Sequence, residues 1–305
     1  MNIGGVFTTS WKIFWRHKIL WVIGITPPLF YAIVVLGTSF LDPDRLFSAL
    51  NNSWPNFYGA ILVVGIGVVF LAIYALASVL AATTIVRGTC LADQGIETFT
   101  FVDLFRGSRD NFWKVIGLYA IFGGAFLLVV GALWALAFLV VIASMGVGLL
   151  CLIPLFFLLL PVNMLGAAFL ELAKAAVVAD GLGIGAALKR AWGLFGQNFW
   201  NIVLVAVILD VGMYVFSFIL ILPLYALMFI PLWAQLGQDG MQVQDPASNM
   251  FSSMRWIYLI VMPFYMVIVG ILQTFLRTTW AATYLRLVSA SSPVQPLAPA
   301  VAEPG

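Results

Sequence analysis

Asp210 is the residue whose position most suggests chemistry, because it interrupts the apolar run VLVAVILDVGMYV about ten residues after Trp200. At 1.5 Å of rise per residue, its carboxyl group would lie about 15 Å along a membrane-crossing helix. A charge at that depth costs about 2.5–3.5 kcal/mol, so Asp210 should face protein or water, or be protonated. Two interpretations follow: a proton or cation site, or a hydrogen-bonded contact between helices, which we favour. Candidate partners are Asn163, Gln273 and Arg277.

Further charged residues lie at the ends of two apolar runs. Glu171 and Lys174 close the run that ends near residue 170, and Arg277 closes the last run. An ion pair joining the two helices is one interpretation. We favour the other, in which the long side chains extend to the lipid headgroups, since this is the commoner behaviour at the end of a span.

Signatures of common catalytic sites do not occur in the sequence, which contains no HExxH, GxSxG or GxxxxGK[ST] pattern. The single histidine, His17, excludes a multi-histidine metal site within one chain. Cys90 and Cys151 fall near opposite faces of the predicted topology, too far apart for a disulfide. We therefore expect no enzymatic activity, no cofactor, no metal site and no nucleic-acid partner.

Composition indicates a membrane protein. Of the 305 residues, 63% are hydrophobic and 9% are charged, whereas about 25% of residues are charged in soluble domains. No Asp, Glu, Lys or Arg occurs from Val115 to Leu170, which is enough for two spans of about 20 residues and a tight turn. We predict an all-α integral membrane protein with six transmembrane helices, near 19–40, 58–84, 115–140, 147–170, 202–229 and 257–280.

Cationic residues orient these six helices. With the N-terminus inside, twelve of the 14 Lys and Arg residues are cytoplasmic, and only Arg45 and Arg255 lie outside. A shift by one span would destroy this positive-inside bias. The first apolar stretch runs past 20 residues through Pro27 and Pro28 without a convincing cleavage site, so we interpret it as a retained span. We expect cytoplasmic N- and C-termini and a prokaryotic cytoplasmic membrane as the location.

The tripeptide Asn-Phe-Trp occurs at 111–113 and again at 198–200, each time where an apolar run begins. In that register Arg87 aligns with Lys174 and Asp93 with Asp180, without a gap. A fainter copy at 10–21 aligns Trp11 with Trp192 and His17 with Asn198. Internal matches of this kind indicate a repeat architecture. We predict one membrane domain, 1–288, with three units of about 6–86, 99–178 and 184–286, and a disordered tail at 289–305 rich in Pro, Ala and Ser.

Each unit is predicted to begin with an amphipathic helix in the membrane surface and to continue as two spans. Aromatic residues spaced by three and four place their rings on one helical face. Asn-Phe-Trp would then mark the corner between surface helix and span, where Asn bonds freed backbone groups and Trp fixes the depth. The predicted interfacial anchors are Trp11, Trp15, Trp113, Trp192 and Trp200.

The order of surface helix, NFW-like corner, paired spans and a short turn (ADQG at 92–95, ADGLG at 179–183) resembles a known bacterial and archaeal group. It is similar to the membrane domains attached to some glycerophosphoryl diester phosphodiesterases and to their stand-alone relatives. The resemblance covers most of 6–286 and implies an architecture. It does not imply the phosphodiesterase activity, which in those enzymes belongs to a soluble barrel with histidine and acidic metal ligands that these 305 residues do not contain.

These features predict a non-enzymatic membrane module that associates with lipid or organises other membrane proteins. Its expected partners are membrane lipids, together with other membrane proteins or further copies of itself. General anchoring of the basic surface helices is favoured over recognition of one headgroup, because acidic residues offset the basic ones in the second unit. The alternative is a small transporter or lipid-handling carrier in which Asp210 and proline-broken spans line a path.

Overall fold

Helices account for every element in the described part of the chain, which comprises residues 2–39, 56–96, 99–144, 149–236 and 246–291 of a computed structural model. Long apolar sequences favour this outcome, because a helix satisfies its own backbone hydrogen bonds where no water is present. Eight helices are described: α1 (Ile3–Arg16), α2 (Ile19–Ser39), α3 (Asn56–Asp93), α4 (Phe101–Ala143), α5 (Leu149–Ala179), α6 (Ile184–Gln197), α7 (Phe199–Leu236) and α8 (Pro246–Ser291).

Six of these helices, α2, α3, α4, α5, α7 and α8, are long and apolar enough to cross a membrane. Each predicted window falls on one of them, so the expected number of spans is confirmed. The charge-free stretch Val115–Leu170 divides between α4, which ends at Ala143, and α5, which begins at Leu149. The chain is therefore a multi-pass helical membrane protein.

Two short helices, α1 and α6, end at the positions where the sequence predicts a corner. His17 is the C-cap of α1, and Asn198 is the C-cap of α6, with α7 beginning at the next residue. The Trp21 indole donates a hydrogen bond of 2.9 Å to the Phe14 carbonyl oxygen, which satisfies one of the free acceptors at the end of α1. The helices therefore break at His17 and at Asn198.

The corner predicted at Asn111 is wrong, because α4 runs without a break from Phe101 to Ala143 and Asn111 is buried within it. In the alignment of the two Asn-Phe-Trp motifs, Gly193 and Gly196 of α6 correspond to arginines in α4. A glycine costs a helix about 1 kcal/mol relative to alanine, whereas arginine is among the better helix formers. Two glycines, Gly193 and Gly196, weaken the helix before Asn198, whereas a single glycine, Gly107, precedes Asn111, and the Arg87 guanidinium packs against it.

The short turns after α3 and α5 are formed by glycines with left-handed backbone. Gly95 has φ +85°, and the N–H of Ile96 donates to the Leu91 carbonyl while that of Gly95 donates to the Ala92 carbonyl. These two bonds are the Schellman arrangement that ends a helix at glycine. Gly181, in the turn after α5, also has left-handed backbone, with φ +67°.

Helix α8 forms the centre of the bundle and packs against α1, α2, α3, α5 and α7. Its closest crossing is with α2, at Gly24 and Gly270. A Cβ atom added to Gly270 would lie 2.6 Å from the Ile25 Cα, and one added to Gly24 would lie 1.8 Å from the Thr274 Oγ1. Small residues that allow helix backbones to approach are typical of membrane bundles. The first and the last span are thereby held together.

The packed core lies at the end of the bundle where α1 and α6 lie. Buried residues fall near the C-terminal ends of α3, α5 and α8 and near the N-terminal ends of α2, α4 and α7, and these ends meet because successive spans run in opposite directions. Many of them are alanines, which permits close approach. The opposite halves of several spans expose their apolar side chains, including Leu127, Leu128, Phe138, Tyr214 and Phe218.

Prolines do not break the spans that contain them. Helix α5 continues through Pro154 and Pro161, α7 through Pro223, and α8 through Pro263. The expectation of proline-broken helices is therefore wrong.

Helix α8 also continues to Ser291, so the first three residues of the predicted tail are helical. The rest of that tail and Arg45 lie outside the described residues, as does the side chain of Arg255.

Candidate functional site

A group of charged side chains, which we name the charged cluster, lies inside the bundle and comprises Glu171, Lys174 and Arg277. The Lys174 Nζ donates a hydrogen bond of 2.5 Å to the Glu171 Oε1, and it lies 5.3 Å from the centre of the Tyr119 ring. The Arg277 Nη2 donates a bond of 3.3 Å to the Ser78 Oγ. Helices α3, α4, α5 and α8 thus each contribute one or more polar groups.

Burial distinguishes these residues from ordinary charges at the end of a span. Lys174 is 1% exposed and Arg277 is 9% exposed. The favoured expectation, that they extend to the lipid headgroups, is therefore wrong. The alternative, a Glu171–Arg277 ion pair, is not formed either, because Glu171 pairs with Lys174 three residues along its own helix. The neighbouring helices enclose the end of α5 and leave Lys174 no route to solvent.

Two atoms of the charged cluster have neither solvent nor a hydrogen-bond partner among the described residues, namely the Glu171 Oε2 and the Arg277 Nη1. The positive charges of Lys174 and Arg277 repel one another. Buried polar atoms without partners cost free energy, of the order of 1–3 kcal/mol each. The cluster is therefore closed and incompletely satisfied, as expected of a site that changes its partners or of a core held by the surrounding packing.

Asp210, the residue singled out from the sequence, lies half-buried on α7 beside this cluster. Its carboxyl group interacts electrostatically with that of Glu171. Of its predicted partners, Arg277 belongs to the charged cluster, Gln273 is half-buried and Asn163 is exposed. Within the described residues no hydrogen bond joins Asp210 to any of these three side chains. Asp210 and Arg277 thus lie in one region of the bundle, together with Glu171. The sequence did not predict that Glu171 would neighbour Asp210.

A second polar network closes the same end of the bundle and joins the ends of α3 and α5 to α8. The Arg286 Nη2 lies 3.3 Å from the Asp93 Oδ1, and the Tyr284 hydroxyl donates a bond of 2.5 Å to the Asp180 Oδ2. Asp93 and Asp180 correspond in the repeat alignment, which is the signal that points to them. The sequence does not show that both bind α8, because their partners lie 193 and 104 residues away.

Arg87 and Lys174 also correspond in the repeat alignment, but their side chains bind different groups. The Arg87 Nη1 donates a bond of 2.9 Å to the Gly107 carbonyl oxygen. A Cβ atom added to Gly107 would lie 2.1 Å from the Arg87 Cζ, so the guanidinium group occupies the space that glycine leaves. Arg87 therefore ties α3 to α4, whereas Lys174 lies in the charged cluster.

The five predicted tryptophan anchors are all on the outside of the bundle. Trp11, Trp15, Trp113, Trp192 and Trp200 are between 47% and 79% exposed. Trp11 also packs edge-on against Phe275 of α8, with ring centres 5.8 Å apart. Exposed indole rings at this end of the bundle suit the headgroup region, where an apolar ring with one N–H donor is favoured.

Beside α6 lies a groove of about 450 Å³, which we name the α6 groove. Two adjacent cations, Lys189 and Arg190, line it together with the amide side chain of Gln197. The remaining lining is small or apolar: Leu182, Ala186, Gly193 and Leu194. No carboxylate is among these seven residues, so the groove is positively charged.

No family model, curated protein or solved structure matches this chain. The resemblance to membrane domains of phosphodiesterases therefore depends on the short motifs alone. Among the described residues, no group of three or more His, Cys, Asp and Glu side chains is placed to hold a metal ion. What the described geometry offers is charge: a closed cluster inside the bundle and an open cationic groove on its surface.

Proposed function

We propose that this protein is a non-enzymatic integral membrane protein that associates with lipid. In this proposal it consists of three two-span units, of which the second has its surface segment continuous with α4. Both termini lie on the cytoplasmic side of a prokaryotic cytoplasmic membrane, as the distribution of Lys and Arg favours. The architecture would be that of the membrane domains the sequence resembles, without their catalytic barrel.

The exposure of the apolar spans carries this proposal. No residue in the most apolar window of α4 is buried, and only 22% of the corresponding window of α7 is buried. In a membrane these surfaces contact acyl chains along half or more of each span. Apolar residues exposed in such numbers are unusual unless lipid or a partner covers them. This exposure supports lipid as the partner that covers the described spans.

The closed state of the charged cluster also favours lipid association over transport of a solute. A solute path needs contact between its polar groups and water, yet Lys174 is buried and the Glu171 Oε2 reaches no solvent. Buried threonines of α3 and α8 donate hydrogen bonds to carbonyl groups of their own helices, such as the Thr279 Oγ1 to the Phe275 carbonyl at 2.9 Å. This arrangement suits a polar core that fixes how the helices pack.

A second candidate function, a lipid-handling carrier or small transporter, is favoured by one observation. Asp210 is half-buried, has no hydrogen bond within the described residues, and lies near enough to Glu171 for their carboxyl groups to interact. An intramembrane carboxyl group without a fixed partner is typical of proton-coupled sites. In such a carrier the charged cluster would open to water during part of its cycle.

Accessibility to water at position 210 separates the two candidates. In a background with Cys90→Ala and Cys151→Ala, open membrane fragments that expose both faces and carry Asp210→Cys, Phe218→Cys or Lys12→Cys are treated with a membrane-impermeant thiol reagent. Phe218 lies exposed on the same helix as Asp210, and Lys12 lies exposed on α1. We expect rapid labelling at position 12 and little labelling at 210 or 218. Rapid labelling at 210 with none at 218 would overturn the packing role and support the carrier.

Lipid association itself is tested by native mass spectrometry of the gently extracted protein, wild type beside Asp210→Asn. We expect several phospholipid adducts that are unchanged in the variant, because the apolar span surfaces bind them. A single solute or lipid lost in Asp210→Asn would favour the carrier. Protein without lipid adducts but with a stoichiometric protein partner would contradict lipid association and favour a role in organising membrane proteins.

A further inference from the structure

Helix α6 presents two adjacent cations, Lys189 and Arg190, along a groove. Lys189 and Arg190 are both exposed and line a groove, whereas Arg87 is bound to the Gly107 carbonyl and Arg286 is paired with Asp93. Arg190 also interacts with the Tyr284 hydroxyl, whose proton is donated to Asp180. Asp180 thereby accepts the Tyr284 proton, and no residue that lines the groove supplies a counter-ion for its positive charge.

The groove has the size and chemistry for a small anionic group attached to an apolar one. A volume of about 450 Å³ lies within the usual range of ligand sites. Lys189, Arg190 and the Gln197 amide supply hydrogen-bond donors, and Leu182 and Leu194 supply apolar surface. Trp192, on the same helix, is 71% exposed and packs against Phe169 of α5 with ring centres 6.1 Å apart. Cationic and lipid-facing surfaces therefore adjoin on α6.

We propose that the α6 groove binds the phosphate of one anionic phospholipid, with the acyl chains passing along the apolar surface beside Trp192. This inference rests on the proposed lipid association and names the headgroup class that one site would prefer. Lysine and arginine side chains near the membrane surface attract anionic lipid by about 1 kcal/mol each. Two adjacent cations and an amide donor along one groove add selectivity for one bound lipid over a diffuse layer of counter-ions.

The repeat alignment predicts one such site in each chain. The positions that correspond to Lys189 and Arg190 are Thr8 and Thr9 in the first unit, and Val102 and Asp103 in the second. Neither pair carries a positive charge, and Asp103 would repel a phosphate. The α6 groove is therefore a feature of the third unit, and the bound lipid should have a stoichiometry of one.

The test is native mass spectrometry of the intact chain in mild detergent, titrated with phosphatidylglycerol or with phosphatidylcholine. Lys189→Gln is compared with Lys189→Arg, which keeps the charge, and with Lys12→Gln, which removes an exposed cation from α1. Lys189 is exposed, so these substitutions leave the core intact. We expect one retained phosphatidylglycerol, bound about fivefold more weakly by Lys189→Gln and equally by the other two variants, the fold-change equivalent to about 1 kcal/mol.

Three outcomes would overturn this inference. Equal retention by wild type and Lys189→Gln would show that the groove does not bind the headgroup. Equal weakening in Lys12→Gln would show diffuse electrostatic attraction instead of a site. Displacement of the lipid by inorganic phosphate, with phosphate itself bound and lost in Lys189→Gln, would assign the groove to free phosphate. Each outcome leaves the neutral-lipid adducts and the cysteine labelling unchanged, so it is distinguishable from failure of the proposed function.

Discussion

Replacing Lys174 by methionine tests whether the charged cluster holds the bundle together. Methionine fills nearly the same space, so the change removes a charge and a hydrogen bond with little loss of volume. Lys174 is 1% exposed, and its Nζ lies 2.5 Å from the Glu171 Oε1. In Lys174→Met, the Glu171 Oε1 loses its hydrogen-bond partner, and the Oε2 already lacks one.

The expected loss of stability follows from these contacts. Breaking a buried ion pair by removing one partner costs about 3–5 kcal/mol, because a charge is left uncompensated. Two features of the cluster reduce this figure. Lys174 and Arg277 repel each other, so its removal relieves a repulsion. The free Arg277 Nη1 is then available to Glu171 after a side-chain rotation. We therefore expect a loss near 3 kcal/mol, at the lower end of the range.

Thermal unfolding in detergent, followed by tryptophan fluorescence, measures the effect. A chain of 305 residues loses about 2 °C of melting temperature for each kcal/mol, so Lys174→Met should melt about 6 °C lower. The double variant Lys174→Met with Glu171→Leu should recover most of the loss, since replacing both members of a buried pair by apolar residues is often neutral. Lys12→Met, at an exposed position, should change the melting temperature by less than about 1 °C.

Two results would refute this reasoning. A Lys174→Met variant as stable as wild type would mean that Glu171 is hydrated or protonated in the folded protein. A double variant less stable than Lys174→Met would mean that Glu171 stabilises the fold independently of Lys174. In either case the charged cluster would not be the polar core that the closed geometry suggests.

Two further predictions concern other parts of the fold. Gly270→Leu should lower the free energy of unfolding by roughly 1–3 kcal/mol, because its Cβ would lie 2.6 Å from the Ile25 Cα. Gly212→Ala should raise the free energy of unfolding by up to about 1 kcal/mol, because a Cβ at Gly212 meets nothing within 4 Å. Equal effects on the melting temperature would contradict the close crossing of α2 and α8. Burial, and to a lesser degree Arg16, lower the pKa of His17, whose ring stacks on Phe99 at 4.7 Å. Protonation then favours the unfolded chain, so stability should be constant above about pH 6.5 and should fall as the pH drops towards the lower folded pKa. His17→Phe, which keeps a ring at that position, should remove this part of the pH dependence of the melting temperature, and an unchanged pH profile would exclude His17 as its source.

Local features of the chain were predictable to the extent that they depend on local energetics. Six apolar runs predict six spans because each span is stabilised by its own length and hydrophobicity, whichever helix it later contacts. The helix break at Asn198 follows from the nearby Gly193 and Gly196. The same tripeptide at Asn111 predicted a break that does not occur, because arginines stand at the two corresponding positions. Asp93 and Asp180 were visible as a repeated pair, although their partners on α8 were not.

The surroundings of the charges could not be predicted in the same way. Glu171, Lys174 and Arg277 look like residues at the ends of spans, and charges there commonly extend to water. Whether they do so depends on whether other helices cover them, and here the helices around α5 enclose Lys174 completely. The α6 groove likewise exists only because α6 lies against the end of the bundle, although its cations are plain in the sequence.

The sequence by itself thus determined the class of protein, the number of spans, the turn glycines and the outward position of the tryptophans, since each is set by short-range hydrophobicity and backbone preference. Only the tertiary structure decided that α2 crosses α8 at Gly24 and Gly270, that α4 is continuous, and that the charged cluster is closed. These features join residues as far apart as 254 positions, as in the bond of 3.4 Å from the Thr274 Oγ1 to the Leu20 carbonyl. Contacts over such distances are selected by the fit of whole helix surfaces, which no single stretch of sequence contains.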